Sequence, residues 1–290
     1  MRCLLLAIAL LATVLPSTAR SQQPWFFAVL SDPQFGMYAK DQNFTQETAN
    51  FEFAIANLNR LHPRFVVICG DLVNRTGDSV EAAEYKRILK KLDSSIKVFS
   101  VAGNHDVGNA PTPATLDWFH TAIGPDYYTF SEEGILGVVL DSNLIRSPET
   151  DLDAAQRQEQ WLKTVLTRAR LNPKQQIVVF QHIPYFVHTP EEADGYFNIP
   201  GPTRRRYLDL LENAGVKYAF AGHTHQSSVG NDGPLTQVIT GAVGMPLGQS
   251  VSGFRIVTVT GQELDSKWFC FGGIPNQFVP QKPVTTPCAQ

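Results

Sequence analysis

Five short apolar runs, at residues 25–30, 65–69, 98–101, 177–180 and 216–221, each lead into a short polar segment rich in Asp, Asn, Gln or His. The segments are Asp32-Pro33-Gln34, Gly70-Asp71-Leu72-Val73-Asn74, Gly103-Asn104-His105-Asp106, Gln181-His182 and Gly222-His223-Thr224-His225. A run such as Phe65-Val66-Val67-Ile68-Cys69 has no polar alternation, so it suits a strand covered on both faces. Between 44 and 61 the apolar period lengthens to that of a helix. Phe51, Ile55, Leu58 and Leu61 share one face, and the pattern stops before Pro63. Further helices are expected over 80–92, 115–123, 154–169 and 204–213, a hairpin from strands at 127–130 and 135–140, and strands at 236–240, 254–259 and 263–269. Alternating strands and helices, flanked by antiparallel strands, predict an α/β chain of two sheets between helices.

With 290 residues, 43% of them hydrophobic, the chain can bury one full core, and no internal repeat or interdomain linker divides it. The expected division is a signal peptide at 1–21, one domain at 22–272 and a loose tail at 273–290. Arg2 precedes an apolar stretch and Pro16, and both Ser17-Thr18-Ala19 and Ala19-Arg20-Ser21 offer small-x-small cleavage sites. That pattern is secretory, and its apolar run is shorter than the roughly 20 residues of a membrane anchor. The expectation is a secreted or periplasmic product with no stable membrane anchor. A formal charge of −3 argues against a dedicated nucleic-acid partner. Cys3 would leave with the leader and Cys69 reads as a small core residue, while export would permit Cys270 and Cys288 to pair.

In α/β sheets, sites form in loops at the carboxyl ends of strands. Here those loops carry residue types that bind hard or borderline divalent metals. Phosphate-ester hydrolysis is chiefly a charge problem. Two divalent ions roughly 3.5–4 Å apart solve it by lowering the pKa of a shared water and clamping the phosphoryl oxygens. Each segment alone has an ordinary explanation, since Gly-Asp-Leu and Asp-Pro are common in turns. Their fixed order at successive strand ends makes them one constellation.

On these motifs the chain resembles the calcineurin-like metallophosphoesterases. The resemblance implies a four-layer α/β/β/α sandwich of two mixed sheets flanked by helices. It also implies a binuclear phosphoesterase in which a metal-bridging hydroxide attacks phosphorus directly. Asp32, Gln34 and His225 match ligands of one ion, Asp71 the bridge, and Asn104, His182 and His223 ligands of the second. Two carboxylates and a hydroxide against two divalent ions leave such a site net positive, which favours a phosphate substrate. His105 matches the catalytic group facing substrate, and Asp106 is the candidate that orients its ring. Where the family usually has a histidine, this chain has Gln34. A carboxamide oxygen is a harder, weaker donor than imidazole, so Mn or Mg is favoured at that site, within a wider choice of Mn, Mg, Fe or Zn.

The likeness narrows to one branch of the family, regarded as serine/threonine protein phosphatases and sharing the unusual glutamine. It is carried by residues 31–36, 103–112 and 181–186 and by Tyr196-Phe197-Asn198, within a span of 25–259. The branch implies phosphate monoesters as substrates, small molecules or phosphoproteins, although an export signal sits poorly with an intracellular phosphoprotein. An exported phosphodiesterase or nucleotidase stays open, as does a noncatalytic metal- or phosphate-binding protein. Asn104, His105 and Asp106 together weigh against the last. The oligomeric state has no signature. Asn74 is read as a turn residue ahead of a ligand-orienting one. Arg204-Arg205-Arg206 is read as solvated charge ahead of a phosphate clamp. His62, His120 and His188 lack ligand spacing, and Asn43 and Asn74 each begin a glycosylation sequon. The expected specificity loops, 111–113, 146–153 and 187–202, carry no readable code.

Overall fold

The computed structural model describes residues 23–280. The expected signal peptide, Cys3, Cys288 and the end of the tail lie outside the described residues. Chain order is β1 (Trp25–Leu30), α1 (Thr45–Leu61), β2 (Phe65–Ile68), α2 (Ser79–Leu89), β3 (Lys97–Ser100), α3 (Asn104–Val107), α4 (Pro113–Ala122), β4 (Tyr128–Glu132), β5 (Ile135–Val139), α5 (Ser142–Arg146), α6 (Leu152–Ala169), β6 (Gln176–Phe180), α7 (Gly201–Asn213), β7 (Tyr218–Ala221), β8 (Ser228–Asp232), β9 (Leu235–Ile239), β10 (Gly253–Thr260) and β11 (Glu263–Cys270).

These strands form two mixed sheets, ordered β11-β10-β1-β2-β3 and β4-β5-β6-β7-β9-β8. Three apolar clusters fill the three interfaces of a four-layer α/β/β/α sandwich. Along β1, Trp25, Phe27 and Val29 join Val178, Phe180 and Phe220 between the sheets. On its other face, Phe26, Ala28 and Leu30 meet Phe51, Ile55 and Leu58 of α1 and Ile88 of α2. Both faces are covered, which is why all six residues of β1 are apolar and buried. The third cluster packs Val138, Val179 and Ala219 against Leu162 and Leu166 of α6 and Leu208 and Leu211 of α7.

Local chemistry sets the ends of these elements. Helix α1 stops where His62 takes a φ of 58° and its N–H bonds the Leu58 carbonyl, just before Pro63. Helix α2 starts at Asp78, whose side chain accepts from the N–H groups of Val80 and Glu81, a cap typically worth about 1 kcal/mol. The β4–β5 turn has Glu133 and Gly134 at φ 49° and 90°, the primed geometry that matches strand twist. Strand β8 is missing from the sequence reading because Ser-Val-Gly-Asn-Asp has no apolar run. It lies at a sheet edge paired only with β9, where polar residues guard against strand addition.

Four expectations need correction. The segment after Gly272 is docked rather than loose as far as Phe278, whose ring lies 4.9 Å from Phe26 and 6.1 Å from Phe269. Arg60 also donates to the Pro275 carbonyl at 2.7 Å. Arg204 is not solvated. It is buried, and it donates to the carbonyls of Ile199, Pro190 and Glu192 and to Asp194 Oδ1, at 2.8–3.0 Å. The 187–202 loop turns its carbonyls inward around that guanidinium. Arg205 and Arg206 do lie at the surface, paired with Asp209, Glu212, Asp232 and Glu159. The other two corrections concern Asp106 and Asn74 and belong to the site. Cys270 is disulfide-bonded, and Cys69 is buried and free. Among the described residues no helix is long and apolar enough to cross a membrane.

Strands β1, β2 and β3 run parallel, as do β5, β6, β7 and β9. Their carboxyl edges are stitched together. The Cys69 carbonyl accepts from Ser31 Oγ of the same sheet and from His182 Nδ1–H of the other. Val243 N–H in turn donates to the Ser31 carbonyl at 2.8 Å.

Candidate metal centre

The loops leaving β1, β2, β3, β6 and β7 converge at that seam. Asp32, Gln34, Asp71, Asn104, His182, His223 and His225 are all brought to it and are each at most 3% exposed. Two groups of ligand atoms result, Asp71 with His182 and His223, and Asp32 and Asp71 with His225. Within each group the atoms lie within 4.8 Å of one another, and Asp71 belongs to both.

Reaching these positions strains the backbone. Asp32, Gln34, Asp71, His223 and His225 hold φ values of 53°, 39°, 50°, 72° and 56°. The left-handed region costs a non-glycine residue on the order of 1 kcal/mol or more, so the surroundings must impose it. Asp32 N–H donates to the Gly70 carbonyl, Gln34 N–H to the Asp71 carbonyl and Gly222 N–H to the His182 carbonyl, all at 2.9–3.0 Å. At Gly103 a Cβ would stand 2.1 Å from Asp71 N. Only glycine lets α3 begin against Asp71, and that approach puts His105 N–H 2.9 Å from Asp71 Oδ1.

Four histidine rings are each fixed by a backbone carbonyl. His182 Nδ1–H donates to Cys69, His225 Nδ1–H to Met245, His223 Nε2–H to Tyr196 and His105 Nδ1–H to Asn74, at 2.5–3.0 Å. A carbonyl only accepts, so the proton sits on that nitrogen and the other carries the lone pair a metal or a substrate proton requires. His182 Nε2 faces Asp71 Oδ2 and Asn104 Oδ1, each at 3.1 Å. His225 Nε2 lies 3.3 Å from Asp32 Oδ1. Asp32 Oδ1 and Gln34 Oε1 are buried with no hydrogen-bond partner.

Lone pairs and oxygens therefore meet with no donor between them, an arrangement that repels itself unless a cation intervenes. The donor set fits divalent metal ions. Electrostatics agree with that fit. Burial would push the Asp71 carboxyl up, but His182, His105 and His223 hold it well below the usual carboxylate range. Burial and the neighbouring His182 lower His223 to about 3, so its imidazole is neutral, as a ligand must be. Burial works against charge on His182 too, yet Asp71 lifts it to about 9. A proton on Nε2 thus takes the place a metal would hold.

The expected pairing of Asp106 with His105 is not found. Asp106 is buried and accepts from the N–H groups of Leu72, Val73 and Gly103 at 2.7–3.0 Å. Its two oxygens face backbone donors of two loops, so it binds the β2 loop to the β3 loop while the Asn74 carbonyl orients His105. The Asn74 side chain is no mere turn residue either. Its Oδ1 accepts from Gln34 Nε2 at 3.0 Å, which leaves Gln34 Oε1 as the atom offered to a metal. The roles of three contributors escaped the sequence reading. Met245 acts through a carbonyl, which no residue type advertises. Arg146 ends α5, and Tyr196 lies in a segment that carried the family likeness without a stated role. Tyr196 offers its carbonyl to His223 and its phenol oxygen to Asn104 Nδ2 at 3.2 Å.

Comparison with known proteins agrees with this geometry. The family model described as calcineurin-like phosphoesterase matches residues 27–227. The chain is 35% identical over 262 residues to the serine/threonine-protein phosphatase CPPED1 of Pongo abelii, covering 85% of this chain and 83% of that one. To CPPED1 of Homo sapiens it is 34% identical with the same coverage. Among solved structures, a dimetal phosphatase from Danio rerio superposes with a TM-score of 0.61 at 17% identity, covering 85% of this chain and 96% of the other. Purple acid phosphatase PPD1 of yellow lupin gives 0.64 at 14% identity, with coverage of 86% and 52%. The two structures speak for the fold, and the family match and the curated relatives for more: this chain belongs to the calcineurin-like phosphoesterases and is a metal-dependent phosphatase.

Proposed function

We propose that the protein hydrolyses phosphate monoesters, phosphoserine and phosphothreonine side chains among them, with two divalent ions bound at the seam. Asp32, Gln34, Asp71 and His225 would hold one ion, and Asp71, Asn104, His182 and His223 the other. The observation that carries this reading is the sharing of Asp71 by two separate ligand groups. Such ions supply activated water and a clamp for the phosphoryl oxygens. The protein's own residues do the rest. Two carboxylates only partly neutralise two divalent ions, so the site stays positive and attracts phosphate. His105, held through Nδ1–H by the Asn74 carbonyl, keeps Nε2 for the substrate, and in its imidazolium form it would serve the leaving oxygen as proton donor. Gln34, an oxygen donor, inclines its site to Mn²⁺ or Mg²⁺. The names of the CPPED1 relatives support phosphoprotein substrates. Export belongs to the same reading, supported by the charged start, apolar run and small-x-small sites within 1–21.

A metal-reconstituted panel of an aryl phosphate, an aryl diester, nucleotides and a phosphoserine peptide tests the reading. Turnover should be fastest with monoesters. Preference for the diester or nucleotides would move the substrate class, and silence with metals bound would make the chain a binding protein.

A further inference from the structure

We propose that Tyr196 is a substrate-contacting residue of this site, its phenol donating a hydrogen bond to a phosphoryl oxygen of the bound ester. The inference rests on the two-ion reading above, because it places the phosphoryl group beside Asn104, His182 and His223. Tyr196 Oη accepts from Asn104 Nδ2 at 3.2 Å, while Asn104 Oδ1 faces His182 Nε2. The phenol oxygen thus stands one hydrogen bond from the candidate ligands. Its own proton has no acceptor among the described residues. Tyr196 is 46% exposed, so this donor borders the open side of an otherwise buried cluster. A donor so placed offers the phosphoryl oxygens what they gain most from as negative charge builds up.

The ring is held from several sides. It packs on the His223 imidazole with centroids 4.8 Å apart, and Phe197 stands edge-on to it at 5.1 Å. The Arg146 guanidinium lies 5.6 Å from the ring centre, and the Tyr196 carbonyl accepts from His223. The loop beneath is clamped by Arg204 and by Asn198, whose Oδ1 accepts from Gly195 N–H at 2.9 Å and whose Nδ2 donates to the Ala193 carbonyl at 2.9 Å. A donor fixed in advance loses little entropy on binding, which is the condition for it to act on the transition state. The phenol keeps its proton throughout, and protonation of the leaving oxygen is left to His105.

Tyr196→Phe removes the hydroxyl and keeps the ring, the carbonyl and the loop. In the full chain, kcat for phenyl phosphate should fall roughly 10²-fold, the loss typical of one such donor. Inhibition by vanadate, which mimics the five-coordinate phosphoryl group, should weaken by a similar factor. Mn²⁺ binding to metal-free protein, followed by calorimetry, should stay within about twofold of wild type, because a water can replace the phenol against Asn104 Nδ2. If kcat and vanadate inhibition stay within about twofold, the phenol touches no substrate and the proposal falls. If Mn²⁺ binding weakens about tenfold along with kcat, Tyr196 positions Asn104 instead, and the proposal also falls. Failure of the two-ion reading shows separately, as wild-type protein that neither binds Mn²⁺ nor turns over.

Discussion

The two sheets contribute to the metal centre in different chemical kinds. Loops of the first sheet deliver oxygen donors, Asp32, Gln34, Asp71 and Asn104, and loops of the second deliver imidazoles, His182, His223 and His225. Neither half is a site alone, since both three-residue groups draw on both sheets. The second sheet has its own carboxylate at a strand end, Asp141 after β5, with a different fate. It caps α5 by accepting from Asn143 N–H at 2.8 Å, and burial with nearby Asp126 raises its pKa to about 7. Asp71, just as buried, is held below the usual range by the histidines facing it. Burial with a like charge nearby thus pushes an acid towards its neutral form. It is the facing imidazoles, His182 and His223 of the opposite sheet with His105 of its own, that keep the Asp71 carboxylate charged and ready for a cation.

The comparison breaks most visibly at Asp71. Asp71→Asn should lower kcat about a thousandfold or more and release metal from both groups, whereas His105→Ala should lower kcat and keep the metal. Element analysis beside turnover checks both, and an Asp71 variant with wild-type turnover would remove the bridge from the account.

A smaller effect should come from Asp141. Its folded pKa lies above the ordinary value of 3.8, so the native state binds the extra proton between pH 4 and 7. Its contribution is complete below pH 4 and is lost as pH rises towards 7, at up to about 1.4 kcal/mol per pH unit. Denaturant melts across that window should show the decline in wild type and a flatter profile in Asp141→Asn. An identical slope in the variant would mean that Asp141 is ionised throughout.

The smallest change concerns donor type on the first sheet. Gln34→His should tighten the first site by about tenfold and shift its preference towards Zn²⁺. An unaltered metal profile would show that Gln34 Oε1 is not offered to an ion.

Much of this site was legible because its ligands are rare residue types at fixed places. Apolar runs located the strands that carry them, and Gly103-Asn104-His105-Asp106 with Gly222-His223-Thr224-His225 gave the order. What escaped was geometry carried by the backbone. The carbonyls of Asn74, Tyr196, Cys69 and Met245 choose the histidine tautomers, and a carbonyl looks the same on every residue. Chain neighbours also misled. Asp106 follows His105 directly, yet one-turn helix α3 aims its carboxylate at backbone donors of the β2 loop. Arg204 reads as surface charge beside two other arginines, but the end of α7 where it sits faces a loop rather than solvent.

Anomalous diffraction from crystals of the metal-reconstituted protein, collected with Mn²⁺ as the only divalent ion, tests the central claim most directly. The account predicts two peaks roughly 3.5–4 Å apart, one against Asp32, Gln34 and His225, the other against Asn104, His182 and His223, with Asp71 touching both. A single peak, or two peaks that Asp71 does not join, would contradict it.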